Sequence, residues 1–317
     1  MKVTDLIKNQ NKPFYSLEIS PPLKTKSIEQ IFSVIDKILP YNLSFVNITY
    51  HQKSSAYEEV NGQMRKVIYQ KHANTVGVCS AIKYKYNIEA VPHLLCGGVD
   101  KITTEDTLFD LMFMGIENIL ALRGDPRRGQ DDFVPEEMGN KNAAELVQQI
   151  KAMNQSVYIQ SDSPEVPIDF CVGVGAYPEK HYSAKSLEDD VAWLKHKVDS
   201  GADFIVTQMF YDFDLFVKWE KMCRQAGITV PIIPGLKPLT KKKQVELFTE
   251  NFHLSIPAEL RDAMEKAETP KEAYQAGIDY MAKLCRKLLD YGVPGLHFFT
   301  MGKGQDVADL IEKLENK

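Results

Sequence analysis

The sequence lacks the long apolar runs and the paired cysteines that mark membrane-spanning and disulfide-rich proteins. No stretch of its 317 residues approaches the roughly 18 consecutive apolar residues of a membrane helix. The five cysteines are an odd number, lie far apart and form no Cys-x-x-Cys pair, so neither a disulfide framework nor a metal site is expected. No apolar leader segment follows Met1. These absences predict a cytoplasmic protein with reduced thiols.

The chain also has no excess of basic residues. The chain has 38 Lys and Arg residues against 43 Asp and Glu residues, which gives a formal net charge of −5. A nucleic-acid-binding domain would show an excess or a stripe of basic residues. The run Lys241–Lys243 is too short to provide one. We therefore expect no nucleic-acid partner, and a hydrophobic content of 44% predicts a large globular core.

Short β-rich apolar runs alternate along the chain with longer amphipathic stretches. In one such stretch Ile28, Ile31, Phe32 and Ile35 recur at helical spacing. This alternation is typical of βα units around a parallel sheet. The predicted strands are Phe14–Ile19, Phe45–Tyr50, Ala90–Leu95, Asn118–Leu122, Phe170–Ala176, Phe204–Met209, Val230–Pro234 and Leu296–Thr300.

The first βα turn lacks the glycine-rich motif G-x-G-x-x-G that an open, doubly wound sheet would usually carry there. It reads Glu18-Ile19-Ser20-Pro21-Pro22 instead. Eight strands with intervening helices favour closure, so we predict an α/β fold, a (βα)8 TIM barrel, as a single domain over residues 1–317.

Two segments exceed what a minimal barrel needs. The polar, β-prone segment His51–Asn87 contains Asn61-Gly62, a dipeptide that favours a tight hairpin turn, and predicts an extra β-hairpin after the second strand. Before the eighth strand, helical patterns at Pro257–Lys266 and Lys271–Tyr291 predict extra helices. The predicted hairpin strands are Tyr57–Val60 and Met64–Tyr69.

Polar residues follow the predicted strands at their carboxyl ends. In a barrel these ends meet at one mouth, where active sites of this fold lie. Residues from six different strands could therefore converge on one site. They are Glu18, Thr49, His93, Arg123, Gly124, Asp125, Tyr177, His181 and Gln208.

Nine motifs carry a resemblance to a known family. They are Ser16–Pro22, Asn47–Tyr50, Pro92–Leu94, Ala121–Asp125, Ala176–His181, Lys197–Ala202, Thr207–Phe210, Ile233–Gly235 and Leu296–Thr300. In this order they resemble the successive motifs of the methylenetetrahydrofolate reductase family. The resemblance implies a barrel that binds FAD without a covalent link. It also implies reduction of 5,10-methylenetetrahydrofolate to 5-methyltetrahydrofolate by NAD(P)H, with a ping-pong mechanism.

The resemblance also implies roles for two carboxylates. Glu18 matches the family's general acid, which must protonate the departing folate nitrogen and therefore needs a raised pKa. Asp125 matches a residue that lies near the flavin and the folate pterin, where negative charge makes a flavin harder to reduce.

Further residues match binding positions of the family. The implied FAD contacts are Thr49, Tyr50, His93, Arg123, Gly124, Asp125, Asn142, Ala143, Tyr177, His181, Asp190, Trp193, His196 and Lys197. The implied substrate contacts are Gln208, Gln244, Phe248 and Lys303. Asn142, Trp193, His196 and Lys303 depart from the residue types common in the family. These departures bear on adenine contacts and on affinity for the folate tail.

The sequence leaves two other functions open. One is a folate- or flavin-binding paralogue without turnover, and the other is a different flavin-dependent barrel oxidoreductase. An amino-acid oxidising barrel would be expected to carry a cluster of arginines at its mouth, whereas only Arg123 qualifies. The sequence does not decide between NADH and NADPH, and it leaves a homo-oligomer open.

Overall fold

Eight parallel strands close into a barrel in the computed structural model, which describes residues 1–127, 130–159, 168–302 and 304–316. The order around the barrel is β1, β10, β9, β8, β7, β6, β5 and β2, and β3 pairs with β4 outside it. The strands are β1 (Phe14–Ile19), β2 (Leu43–Ile48), β3 (Ser54–Val60), β4 (Gln63–Tyr69), β5 (Glu89–Leu95), β6 (Asn118–Leu122), β7 (Cys171–Ala176), β8 (Phe204–Met209), β9 (Ile232–Leu236) and β10 (Gly295–Phe299). The predicted barrel is confirmed.

Helices surround the barrel because each presents an apolar stripe to the strands. Those in the described part of the chain are α1 (Val3–Asn9), α2 (Glu29–Ile38), α3 (Thr75–Tyr86), α4 (Lys101–Phe113), α5 (Ala143–Asn154), α6 (Leu187–Asp199), α7 (Phe213–Gln225), α8 (Lys243–Phe252), α9 (Ala258–Lys266), α10 (Pro270–Tyr291) and α11 (Gln305–Glu315). Of these described helices, none is long and apolar enough to cross a membrane.

The barrel strands are buried on both faces, as expected for parallel strands under a layer of helices. Five of the six residues of β1 are buried. Its alternate residues Phe14, Ser16 and Glu18 lie on one side of the strand. Phe14 belongs to the inner apolar cluster that also contains Phe45 and Phe204. This alternation directs Glu18 to the inside of the barrel at its carboxyl end.

Helix α1 closes the amino-terminal end of the barrel, and the sequence analysis did not predict it. Val3 is fully buried in the cluster of Phe14 and Phe45. The backbone N–H of Val3 donates to Asn118 Oδ1 at 2.7 Å. A seven-residue helix is too short to show a clear periodic pattern, so only the finished barrel explains its burial.

Both predicted additions to the barrel are present. Strands β3 and β4 pair antiparallel, and Asn61 and Gly62 take the left-handed conformation between them, with φ values of 54° and 76°. Two consecutive positive φ values characterise a type I′ turn, which suits Asn-Gly. Between β9 and β10, helices α9 and α10 match the two predicted segments, and α8 precedes them.

Candidate active site

A cavity of about 1490 Å³ lies at the carboxyl-terminal mouth of the barrel. Pockets for one small ligand usually measure roughly 300–1,000 Å³, so this cavity has room for more than one. Most of the predicted site residues line it together. They are Glu18, Thr49, Tyr50, His93, Arg123, Gly124, Asp125, Asn142, Ala143, Tyr177, His181, Asp190, Trp193, Lys197 and Gln208.

Glu18 lies in the wall of this cavity with only 22% of its side chain exposed. Burial raises the pKa of its carboxyl group to about 8, because a low-dielectric environment disfavours the charged form. The carboxyl group therefore carries a proton at neutral pH. A protonated carboxyl group in a ligand-sized cavity can act as a general acid.

His93 lies beside Glu18, with its Nε2 atom 3.6 Å from Glu18 Oε2. Burial, and to a smaller extent His51, lower the pKa of His93 to about 3, so its ring is neutral. Its Nε2 atom is buried and has no hydrogen-bond partner among the described residues. Glu18 and His93 are thus both neutral, and the two atoms lie too far apart for a hydrogen bond. The His93 Nε2 atom can therefore bind a ligand.

The raised pKa of Glu18 predicts how the stability of the protein depends on pH. Below its ordinary pKa of 4.5 the group is protonated in both the folded and the unfolded chain. Between pH 4.5 and about 8 only the unfolded chain ionises, which favours unfolding progressively. Glu18→Gln removes this penalty. The stability of the variant relative to wild type should therefore rise by a few kcal/mol between pH 5 and pH 8, since one pKa unit is about 1.4 kcal/mol.

Urea unfolding of wild type and Glu18→Gln at pH 5 and pH 8 measures this difference. The free energy of unfolding of the variant should increase relative to that of the wild type as pH rises. Parallel pH dependences in the two proteins would show that Glu18 ionises normally in the fold.

The opposite wall of the cavity is suited to an anion. Asn142 caps helix α5 by accepting a hydrogen bond from the Glu145 N–H at 3.0 Å, and the first residues of that helix line the cavity. A helix amino terminus carries partial positive charge. The Lys197 ammonium group donates to the Gly175 carbonyl at 2.5 Å, and burial lowers its pKa to about 8. The Arg123 guanidinium lies 5.4 Å from the centre of the Phe133 ring.

Gly124 brings backbone close to the cavity between Arg123 and Asp125. Its φ of +85° lies in the left-handed region, which residues other than glycine rarely adopt. A Cβ atom there would lie 3.3 Å from a Leu95 methyl carbon. The Gln52 amide donates to the Asp125 carbonyl at 3.3 Å, which fixes this turn from the other side.

Tyr177, His181 and Asp190 form one connected group. The His181 N–H donates to Asp190 Oδ2 at 3.1 Å, and the rings of Tyr177 and His181 meet edge to face at 4.7 Å. Burial, followed by the positive charge of Arg123, lowers the pKa of His181 to about 4. His181 is therefore neutral and adds no charge beside Arg123.

The family model described as methylenetetrahydrofolate reductase matches residues 2–315. The chain belongs to the methylenetetrahydrofolate reductase family. Methylenetetrahydrofolate reductase (NADH) 1 of Arabidopsis thaliana is 33% identical over 99% of this chain and 51% of its own length. The 5,10-methylenetetrahydrofolate reductase of Pectobacterium carotovorum subsp. carotovorum is 28% identical over 92% of this chain and 86% of its own.

The chain spans about half the length of the plant and yeast members of the family that it matches. Among solved structures, a Clostridium thermocellum protein described as binding two copies of 5-methyl-5,6,7,8-tetrahydrofolic acid superimposes with a TM-score of 0.57. It is 15% identical and covers 99% of this chain and 98% of that one. At this identity the likeness shows the barrel fold alone.

Three described residues implied by the family resemblance do not line the cavity. Gln244 Oε1 accepts from the N–H groups of Thr240 and Lys241 and so begins helix α8. Phe248 is 1% exposed and stacks on Tyr211 at 6.4 Å. His196 is exposed and meets the Trp193 ring edge at 5.5 Å. Lys303 lies outside the described residues. The roles of these residues in the reductase family site stay predictions.

Other residues at the same cavity were not predicted from the sequence. Gln52 lines it, and its Oε1 atom is buried without a described partner. Phe252 lines it from the same helix as Phe248, four residues later. Phe248 and Phe252 are four residues apart on one helix, so the sequence alone could not tell which of the two rings reaches the cavity. Lys66 and Ile68 of the β3–β4 hairpin also line it.

Proposed function

We propose that the chain is an FAD-dependent reductase that converts 5,10-methylenetetrahydrofolate to 5-methyltetrahydrofolate with NAD(P)H. The observation that carries this proposal is the protonated Glu18 beside neutral His93 at the barrel mouth, in a chain of this family. Relatives are named for NADH in Arabidopsis thaliana and for NADPH in Caenorhabditis elegans, so either donor fits.

The residues at the mouth fit FAD. Arg123, Lys197 and the amino terminus of α5 would hold its diphosphate, since cations and unpaired N–H groups together bind phosphates. Gly124 lets the chain approach the cofactor without a side chain in the way. His93 Nε2 and Gln52 Oε1 have no hydrogen-bond partner among the described residues and could bind the polar edge of a heterocycle. When bound, FAD supplies the hydride that the folate receives.

Glu18 provides the proton that the folate half of the reaction needs. The five-membered ring of the substrate opens when the bond from the methylene carbon to N10 breaks and its electron pair leaves with the nitrogen. Protonation of that nitrogen by Glu18 makes it a better leaving group and leaves an electrophilic iminium carbon on N5. Hydride addition to this carbon gives the methyl product, and solvent returns the proton to Glu18.

Asp125 and Gln208 would orient the substrate beside Glu18. Both line the cavity, and each comes from the carboxyl end of a different strand. A carboxylate accepts hydrogen bonds from the amino and ring N–H groups of a pterin, and an amide can pair with its amide edge. Nicotinamide and folate would use the same flavin face in turn, as the family resemblance implies, and this alternation gives ping-pong kinetics.

Anaerobic titration of the purified protein tests this function. We expect a yellow protein whose flavin absorbance bleaches with NADH or NADPH and returns when methylenetetrahydrofolate is added. A bound flavin that bleaches but is not reoxidised by the folate would point to another flavin-dependent oxidoreductase. A protein that binds folate or flavin without reduction by either donor would be a binding paralogue.

A further inference from the structure

A buried ion pair lies behind the wall of the cavity, at the carboxyl end of β9. Lys237 directly follows β9, and its side chain is only 4% exposed. Its ammonium group pairs with the carboxylate of Asp306, which is 16% exposed and lies in the first turn of α11. The family resemblance implies no role for either residue, and neither lines the cavity. The proposed reaction therefore leaves this pair unexplained.

Stability alone is a weak reason for such a pair. Removing an ammonium group and a carboxylate from water costs about as much free energy as their attraction provides, but the pair can hold its neighbours in one arrangement. Here the surrounding structure fixes both partners. The Tyr211 hydroxyl donates to the Lys237 carbonyl at 3.0 Å, and Asp306 Oδ1 accepts from the Val307 N–H at 3.0 Å. The ammonium group is thus held in a defined position.

A chain of hydrogen bonds leads from this ammonium group to Glu18. Lys237 Nζ donates to the Thr300 carbonyl at 3.3 Å. The N–H and the hydroxyl of Thr300 both donate to the Glu18 carbonyl, at 3.2 Å and 2.9 Å. Strands β9, β10 and β1 are neighbours in the barrel, so these bonds connect the carboxyl ends of three consecutive strands. The chain ends on the backbone of the residue assigned as the general acid.

We propose that Lys237 and Asp306 are positioning residues that act through Thr300 to hold Glu18 in place for proton transfer. Fixing the Glu18 carbonyl fixes the end of β1 from which the carboxyl group must reach the folate nitrogen. A displacement of about 1 Å at a reacting group can slow a reaction by about 100-fold. The inference rests on the proposed function, because it names residues that position the same proton donor.

The variants Lys237→Met and Lys237→Met/Asp306→Asn separate positioning from stability. The first leaves the Asp306 carboxylate buried without its partner and should lower the urea midpoint, whereas the second removes that charge and should recover most of the loss. Both lack the donor to Thr300. Both should therefore slow flavin reoxidation by methylenetetrahydrofolate by about tenfold or more. Flavin reduction by NADH or NADPH should stay within about a few-fold of wild type, because it needs no acid.

Lys151→Met is the matched control at the opposite end of the barrel. The Lys151 ammonium group pairs with Asp203 at 2.6 Å and donates to the Phe170 carbonyl at 3.3 Å, the same combination of partners. Asp203 and Phe170 precede β8 and β7, at the amino ends of the strands. This variant should also lower the urea midpoint, but it should leave both half-reactions within about twofold of wild type, as expected for a distant site.

Thr300 provides a second check on the same chain of bonds. Thr300→Val keeps the shape of the side chain but removes the hydroxyl that donates to the Glu18 carbonyl. The folate half-reaction should slow about three- to tenfold, the scale of one hydrogen bond. Thr300→Ser keeps the hydroxyl and should restore the rate. Equal rates in the valine and serine variants would show that this bond does not position Glu18.

Amide hydrogen exchange of peptides from β1 and β10 tests the contact without turnover. In Lys237→Met/Asp306→Asn the Thr300 amide should exchange about tenfold faster than in wild type, because the end of β10 is held less firmly. Unchanged exchange there, or a double variant with the folate half-reaction of wild type, would overturn the inference. A wild type without folate turnover, together with faster exchange in the double variant, would contradict the proposed reaction and leave the positioning of Glu18 supported.

Discussion

Glu18→Gln is expected to slow reoxidation of the reduced flavin by methylenetetrahydrofolate by about 100-fold or more, the usual contribution of a general acid. Glutamine keeps the shape of the side chain and its hydrogen-bonding capacity but has no transferable proton. Reduction of the flavin by NADH or NADPH should stay within about a few-fold of wild type, because hydride donation from nicotinamide needs no acid.

Stopped-flow absorbance of the flavin follows the two half-reactions separately. An equal loss in both would mean that Glu18 holds the cofactor or the fold. No loss in either would mean that the proton comes from another group. Asp125→Asn serves as a comparison, since Asp125 lies at the same cavity and is assigned a positioning role. Its effect on the folate half should appear mainly in the affinity for substrate.

Lys197→Met is expected to weaken FAD binding by about 10- to 100-fold, because a hydrogen bond to a charged group contributes about 1.5–3 kcal/mol. The Lys197 ammonium group is buried in the cavity wall near Arg123 and Asp190. Methionine preserves much of the length and apolar character of the stem while removing the charge. Fluorescence of free FAD during titration of the apoprotein gives the dissociation constant.

Lys195→Met is the matched control for this variant. Lys195 lies two residues earlier on the same helix, outside the cavity lining, and pairs with Asp199 on the surface. Its replacement changes net charge and helix composition in the same way and should leave FAD affinity within about twofold of wild type, as expected for a surface pair. Equal losses in both variants would assign the effect to helix α6 and not to the cavity.

Much of the barrel could be predicted because parallel strands under helices carry continuous apolar runs. The predicted bounds Phe14–Ile19, Asn118–Leu122 and Phe204–Met209 agree with β1, β6 and β8. Other strands shift by one or two residues, as β2 does, because apolar residues continue into the adjoining turn. Helix α1 could not be predicted, because its burial depends on an open barrel end that exists only after all eight strands have closed.

The site was predictable at strand ends and less so on helices. Glu18, His93 and Arg123 reach the cavity because alternation along a strand and the common mouth of the barrel fix their direction. The family resemblance implied substrate contacts for Gln244 and Phe248, which lie four residues apart on α8. Local capping occupies the Gln244 side chain, and core packing occupies Phe248. How a helix is rotated against its neighbours depends on tertiary packing, which the spacing of residues does not determine.

The pH dependence of the folate half-reaction in the wild-type protein tests most directly whether Glu18 is the general acid. The rate of flavin reoxidation by methylenetetrahydrofolate should be constant below pH 8. Above the Glu18 pKa of about 8 it should fall about tenfold per pH unit, because the proton is lost. Reduction by nicotinamide should show no such break. A folate half-reaction that stays constant to pH 10, or one that breaks near pH 4.5, would contradict the assignment of Glu18 as a buried, protonated acid.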